Sequence, residues 1–168
     1  MNLNEIMDLD SQVYMNTFGK RLPVCFVKGE GAVLVDESGK SYVDLFGGIA
    51  VNILGYRYPS YTQRLLDQIQ SGVLHTSNLY YVEPQVRLAK ALTDHSFARR
   101  VFFANSGTEA NEGAVKLARK YFYSKGEGRY KVISLSDSFH GRTLAMVAAT
   151  AQPKYQAPYK PLPEGFVN

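Results

Sequence analysis

The spacing of hydrophobic and polar positions along the chain changes near residue 100. Before that point, short runs rich in apolar and β-branched residues predict three strands, Val24–Lys28, Ala32–Asp36 and Ser41–Phe46. A turn, Glu37-Ser38-Gly39-Lys40, lies between the second strand and the third. Three short strands joined in this way predict a small antiparallel sheet.

Two helices are predicted between this sheet and residue 100. Ser60 and Gln63 have the spacing of a capping box, and Gly72 is placed to end the helix that follows. Pro84 suits the first turn of a second helix, which runs through Leu92. A domain boundary is expected between Gly72 and Pro84.

From residue 101 the pattern is typical of a parallel sheet with a crossover helix. Val101–Ala104 and Val132–Leu135 are short runs of the kind expected in strands buried on both faces. The predicted helix between them, residues 107–125, carries an apolar stripe along one side. Strand, helix and strand predict a βαβ unit. The fold class is therefore α/β, with a small antiparallel section followed by the first βαβ unit of a larger domain.

The sequence predicts parts of two domains. Residues 1–75 are assigned to the amino-terminal part of a small domain and residues 76–168 to the beginning of a large one. Residues 152–168 hold four of the seven prolines and show no regular period, so a long loop is expected there. Because a parallel sheet needs several strands, the 168-residue chain by itself is expected to fold poorly and aggregate.

Composition narrows the class of protein. Hydrophobic residues make up 45% and charged residues 20%, without an apolar run long enough to cross a bilayer or a signal peptide at the start. Cys25 is the only cysteine, which excludes an internal disulfide and favours the cytoplasm. The net charge is +4, but the 19 Lys and Arg residues are scattered. A small anionic ligand is therefore favoured over nucleic acid.

The first candidate site is the segment Asn105–Asn111, at the junction of a predicted strand and the long helix. A helix start presents free N–H groups and a positive dipole end, both of which bind phosphate. Gly107 permits close approach of an anion, and the hydroxyls of Ser106 and Thr108 are possible donors. Ser106 and Glu109 also match a capping box, which needs no ligand. The two interpretations are compatible.

The second candidate site is Ser138–Thr143, which follows the next predicted strand at the same end of the sheet. Phe139 could lie flat on a planar ring, and Arg142 could bind a carboxylate through two parallel hydrogen bonds. Taken singly, Phe139 is more readily a core residue, Arg142 a solvated charge and His140 a structural residue. The pairing of two such loops in one βαβ unit favours a ligand site.

Longer runs around these two sites resemble a known family. Val101–Glu112, followed by Lys116–Arg119, is similar to the phosphate-binding region of the class III, fold type I, pyridoxal-phosphate-dependent aminotransferases. Ser138–Thr143 resembles their next signature. Gly47–Asn52 and His75–Pro84 resemble the acetylornithine aminotransferase branch in particular. The likeness extends from about residue 18 to the last residue.

The resemblance implies a cofactor, pyridoxal 5'-phosphate, and a role for each candidate residue. The phosphate would be held at the start of the helix, and Phe139 would stack on the pyridine ring. Arg142 would bind the α-carboxylate of the substrate, and no metal is expected. The implied cofactor-binding residues are Ser106, Gly107, Thr108, Phe139 and His140.

The resemblance further implies transfer of the amino group of N-acetylornithine to 2-oxoglutarate, in arginine biosynthesis, by a cytoplasmic homodimer. Asn78 and Tyr80 would line the active site of the opposite subunit. Ornithine, succinylornithine and 4-aminobutyrate remain alternative donors. In the family, the lysine that binds the cofactor covalently comes later than residue 168, so this chain alone is expected to be inactive. The alternative is a non-catalytic remnant that binds at most the cofactor phosphate or a partner subunit.

Overall fold

A computed structural model describes all 168 residues, which form two compact units, Met1–Tyr81 and Val82–Asn168. Helices together with a small antiparallel sheet and a parallel pair of strands confirm the predicted α/β class. The domain limits at residues 75 and 76 stay a prediction. None of the helices combines the length and the apolar character that a membrane-spanning segment requires.

The first unit opens with a helix that the sequence pattern did not predict. Helix α1 (Leu3–Val13) begins at Asn2, whose side chain accepts from the backbone N–H of Glu5, while the Glu5 carboxylate accepts from the N–H of Asn2. This reciprocal capping box satisfies two of the N–H groups left free at a helix start. Polar capping therefore fixes the start of this helix.

The predicted antiparallel sheet is confirmed. Its strands are β1 (Phe26–Glu30), β2 (Val33–Asp36) and β3 (Ser41–Val43), in the order β1-β2-β3. The first strand starts two residues later than expected. The carboxylate of Asp36, which is 6% exposed, closes the turn by accepting from the N–H groups of Ser38 and Lys40. A hydrogen bond from the Ser38 hydroxyl is the main cause that lowers the pKa of Asp36.

The segment after the sheet contains a helical turn and a helix, and the start of that helix differs from the prediction. A single turn, α2 (Gly47–Ala50), has four consecutive positive φ angles, between 55° and 64°. Helix α3 (Pro59–Gln70) follows, and its proline occupies the first helical turn. The predicted capping box at Ser60 is wrong, because the helix already includes that residue. The side chain of Gln63 instead donates to Asp67, 2.7 Å away.

The second unit is mainly helical, and its elements follow one another closely along the chain. The predicted helix through Leu92 is confirmed, as is the long helix that starts at Gly107. The elements are α4 (Glu83–Asp94), α5 (Gly107–Ser124), β4 (Val132–Ile133), α6 (Leu144–Ala149), α7 (Pro153–Gln156), a 3₁₀ turn (Ala157–Tyr159) and β5 (Phe166–Val167).

The parallel pair lies elsewhere than predicted. Strand β4 pairs with β5, so the observed βαβ unit joins these strands through α6 and α7. The expected strand Val101–Ala104 is wrong because its backbone has no partner strand, and Phe102 is 72% exposed. The expected loop over residues 152–168 is also wrong. Proline lies in the first turn of both α7 and the 3₁₀ turn, where it is compatible with a helix. Both elements are too short to show a helical period of apolar residues.

The buried core of the second unit is centred on α6. Its buried apolar side chains are Met146, Val147, Ala148 and Ala149, with Ala151 just beyond the helix. Only one face of strand β4 packs against this core. Ser134, just after the strand, is buried, whereas Ile133, which points to the opposite face, is 81% exposed. Burial on both faces, which the apolar pattern predicted, is therefore not found within these residues.

Candidate functional site

Helix α5 begins at the first candidate site because Ser106 caps it. The backbone of Ser106 is extended, with φ −153° and ψ 161°, and its hydroxyl accepts from the N–H of Glu109 at 3.3 Å. The Glu109 carboxylate accepts from the backbone N–H of Asn105 at 2.7 Å rather than from the backbone N–H of Ser106. The serine half of the predicted capping box is thus confirmed, and the carboxylate half is displaced by one residue.

The start of α5 keeps two donors free. The N–H groups of Gly107 and Thr108 donate to no acceptor in the protein, whereas that of Glu109 is used by the cap. Gly107 is exposed, and an added Cβ there would have nothing within 4 Å. Two adjacent free N–H groups at the positive end of an 18-residue helix attract an anion. The capped helix start therefore still fits a phosphate.

Backbone hydrogen bonds of His140 hold the second candidate loop against the neighbouring helices. The backbone N–H of His140 donates to Oγ1 of Thr150 at 2.9 Å, and its carbonyl accepts from Nδ2 of Asn111 at 2.7 Å. Thr150, which is 1% exposed, belongs to the buried core beside α6, and Asn111 lies on α5. Both backbone groups of His140 are therefore satisfied, which fixes the path of the loop between Phe139 and Arg142.

A second connection joins the loop to the first two turns of α5. The hydroxyl of Thr143 donates to the Glu112 carboxylate at 2.6 Å and lies 3.3 Å from the hydroxyl of Thr108. Because a carboxylate can only accept, the proton of Thr143 is engaged with Glu112, and Thr108 is left to donate to Thr143. The Thr108 hydroxyl is thus turned toward the loop. Backbone N–H groups, rather than this hydroxyl, remain as the donors for an anion.

Gly141 is the point of closest approach between the two loops. Its φ is +139°, and a Cβ added there would lie 2.2 Å from Oγ1 and 2.5 Å from Cβ of Thr108. No side chain fits at these distances without a shift of the backbone. Glycine is therefore required at residue 141 for the loop to lie against the start of α5.

The side chains of Phe139 and Arg142 lie together. The guanidinium carbon of Arg142 is 5.0 Å from the centroid of the Phe139 ring and 4.4 Å from that of Tyr155. Phe139 is 56% exposed, so part of its ring is free to contact a ligand. The closeness of Arg142, followed by the nearby charge of Lys154, lowers the pKa of the Tyr155 phenol.

The structure thus brings the two predicted sites together through residues that sequence reasoning did not single out. Asn111 and Glu112 stand within the helical motif, but the motif gives no sign that they bind the second loop. Tyr155 lies on α7, in a segment predicted to be a loop. Asn78 and Tyr80 belong to the first unit, and their predicted role at a subunit interface stays a prediction.

The arrangement combines three kinds of recognition at neighbouring positions. The free N–H groups of α5 suit a phosphate, the exposed face of Phe139 suits a planar ring, and Arg142 suits a carboxylate. No group of three or more His, Cys, Asp or Glu side chains is arranged to hold a metal ion. The residues therefore fit a phosphorylated aromatic molecule together with a carboxylate.

Comparison with known proteins assigns these residues to a sequence family. The profile of the family described as aminotransferase class-III matches residues 14–168. The acetylornithine aminotransferase of Methanothermobacter thermautotrophicus is 48% identical over 166 residues, which are 99% of this chain and 41% of that protein. That of Aquifex aeolicus is 50% identical over 153 residues, or 90% and 40%. The chain spans about 40% of the length of these relatives.

Solved structures show the same fold over the same fraction of their length. The ornithine aminotransferase of Toxoplasma gondii superposes with a TM-score of 0.89 at 25% identity, covering 99% of this chain and 39% of that one. The taurine:2-oxoglutarate aminotransferase of Bifidobacterium kashiwanohense, in complex with PLP and glutamate, gives 0.87 at 29% identity, with 99% and 37% covered.

Proposed function

The chain belongs to the class III aminotransferases, and from that premise we propose that it supplies the phosphate-binding and carboxylate-binding loops of an enzyme acting on N-acetylornithine and 2-oxoglutarate. The observation that carries this proposal is the contact between Gly141 and Thr108, which places the two loops side by side. The names of the relatives support the acetylornithine donor and a role in arginine biosynthesis. A cytoplasmic homodimer belongs to the same proposal.

Pyridoxal phosphate is the cofactor that these residues fit. The N–H groups of Gly107 and Thr108 would hold its phosphate beside Ser106, and the exposed ring of Phe139 would cover one face of its pyridine. His140 would keep Phe139 in place through its two backbone hydrogen bonds. When bound, this cofactor stabilises negative charge at the carbon that carries the amino group. The covalently bound lysine is proposed to lie outside residues 1–168.

Arg142 is proposed to bind the α-carboxylate of the donor. The Arg142 side chain is exposed and makes no salt bridge within the protein, so its N–H donors are available to a ligand. A guanidinium can grip a carboxylate through two parallel hydrogen bonds, which orients the amino acid relative to the ring. Neighbouring Phe139 would then bring the bound amino acid close to the cofactor.

Arg142→Ala should separate substrate affinity from cofactor affinity in an enzyme of the relatives' full length that contains these residues. The KM for the amino donor should rise about tenfold, because an exposed charge-assisted contact is weaker than a buried one. Cofactor content, measured from its absorbance, should be unchanged. Arg100→Ala, which removes another exposed arginine, is the matched control and should leave the KM unaltered. A parallel loss of cofactor and donor binding would contradict this division of roles.

The choice of donor tests the proposed function itself. With 2-oxoglutarate as acceptor, kcat/KM should be higher for N-acetylornithine than for ornithine, succinylornithine or 4-aminobutyrate. The full-length enzyme is assayed with each donor under the same conditions. Preference for 4-aminobutyrate would overturn the acetylornithine assignment and leave the family intact. Failure to transfer an amino group from any of the four would contradict the proposed function.

A further inference from the structure

Tyr155 lies beside the proposed substrate-binding arginine although nothing in the family assignment gives it a role. We propose that Tyr155 is a positioning residue that holds the guanidinium of Arg142 ready for the substrate carboxylate. The inference rests on the proposed function of Arg142 and adds a specific cause for its orientation. Two observations support this role: the contact of Arg142 with the Tyr155 ring, and the hydrogen bonds that hold the short helix carrying Tyr155.

The guanidinium of Arg142 has two aromatic rings within reach. Its central carbon lies 4.4 Å from the centroid of Tyr155 and 5.0 Å from that of Phe139, both within the range of a cation–π contact. A long exposed arginine otherwise samples many rotamers, and ordering it on binding costs conformational entropy. Contact with the rings restricts the side chain beforehand. It also leaves the N–H donors at the edge of the guanidinium free for a carboxylate.

Tyr155 is able to restrict Arg142 because helix α7 is itself held on both sides. The side-chain amide of Gln152 donates to the carbonyls of Asp137 and Ser138, at 3.2 and 3.0 Å, immediately before Phe139. The side-chain amide of Gln156 donates to the carbonyl of Thr150 at 2.9 Å. These contacts tie α7 to the loop that carries Arg142 and to the buried end of α6.

A second cation, Lys154, also contacts the Tyr155 ring and gives a further reason why the ring holds Arg142 in place. Lys154 lies with its Nζ 4.8 Å from the centroid of Tyr155, so the ring contacts two positive groups. An aromatic face attracts a cation, whereas Lys154 and Arg142 repel each other. Removal of the ring would leave the repulsion and take away the attraction. The arginine should then move away from the orientation in which it faces a substrate.

The test compares Tyr155→Leu with Tyr155→Phe in the full-length holoenzyme. Tyr155→Leu should raise the KM for N-acetylornithine about fivefold, while Tyr155→Phe, which keeps the ring, should stay within about twofold. The kcat and the cofactor content should not change. Binding of glutarate, which has neither an amine nor a ketone, should weaken by the same factor in calorimetry. Tyr159→Leu, at an exposed tyrosine in the next turn, is the control.

A double-mutant cycle separates this inference from the function on which it rests. In the Arg142→Ala background, Tyr155→Leu should have no further effect on the KM or on glutarate binding. An equal effect in both backgrounds, or a fall in kcat and stability without a change in KM, would overturn the positioning role. If Arg142→Ala raises the KM while Tyr155→Leu does not, the inference fails and the proposed function stands. If Arg142→Ala itself has no effect, both are wrong.

Discussion

In the full-length enzyme, Gly141→Ala is expected to separate the two loops and to lower both the stability and the affinity for the cofactor. The new methyl group would lie 2.5 Å from Cβ of Thr108, and alanine would have to adopt a φ of +139°. Overpacking and an unfavourable backbone together should lower the free energy of unfolding by roughly 2–4 kcal/mol. Relief of the clash would move the loop away from α5, so Phe139 and Arg142 would no longer face the phosphate-binding turn.

The steric part of this effect can be isolated by a second substitution. In a Thr108→Gly background the colliding Oγ1 and Cβ are gone, and the nearest remaining atom is the Thr108 Cα at 3.0 Å. Gly141→Ala should therefore cost less there, when the free energy of unfolding is measured by chemical denaturation. Gly128→Ala, at a glycine without a positive φ or a neighbour within 4 Å, is the control. Equal costs in the two Thr108 backgrounds would show that the loops do not meet at Gly141.

The sequence predicted α3, α4, α5 and the small sheet because their signals are local. Asp36 and the following turn residues determine the hairpin through contacts a few residues apart. Ser106 likewise determines the start of α5 through a bond to the third residue beyond it. Such short-range hydrogen bonds can be recognised from spacing alone.

The errors fall where an element depends on a distant partner. Val101–Ala104 has the composition of a buried strand, but a strand exists only when another backbone pairs with it. Strand β5, by contrast, has two residues and no recognisable period, and it forms because β4 offers it a parallel edge. The pattern of apolar residues carries no information on which strand will pair with which.

The candidate site shows the same division between local and distant information. The segments around Gly107 and Arg142 could be singled out because their residue types suit phosphate and carboxylate. The contacts that join them could not, since Asn111 and His140 are 29 positions apart and Thr108 and Thr143 are 35 apart. Nor does any local signal relate Tyr155 to Arg142. Residues that hold a site together thus become visible only in the folded chain.

Gly107→Pro should weaken pyridoxal phosphate binding without disturbing the helix. Gly107 is the first residue of α5, where proline is tolerated because its missing N–H has no helical partner. The extended backbone of Ser106, with φ −153° and ψ 161°, is the conformation preferred before a proline. The space around Gly107 is open, so the ring meets no neighbour. The substitution therefore removes one free N–H group and leaves the cap of the helix in place.

The free N–H groups at the start of α5 are proposed to hold the cofactor phosphate. This role is tested by the dissociation constant of pyridoxal phosphate for Gly107→Pro and Gly107→Ala, measured by titration alongside helix content from circular dichroism. Loss of a hydrogen bond to a charged group should raise the constant about 30-fold for proline. Alanine, which keeps the N–H, should change it by less than about threefold. Equal constants for the two variants, with equal helix content, would contradict the claim.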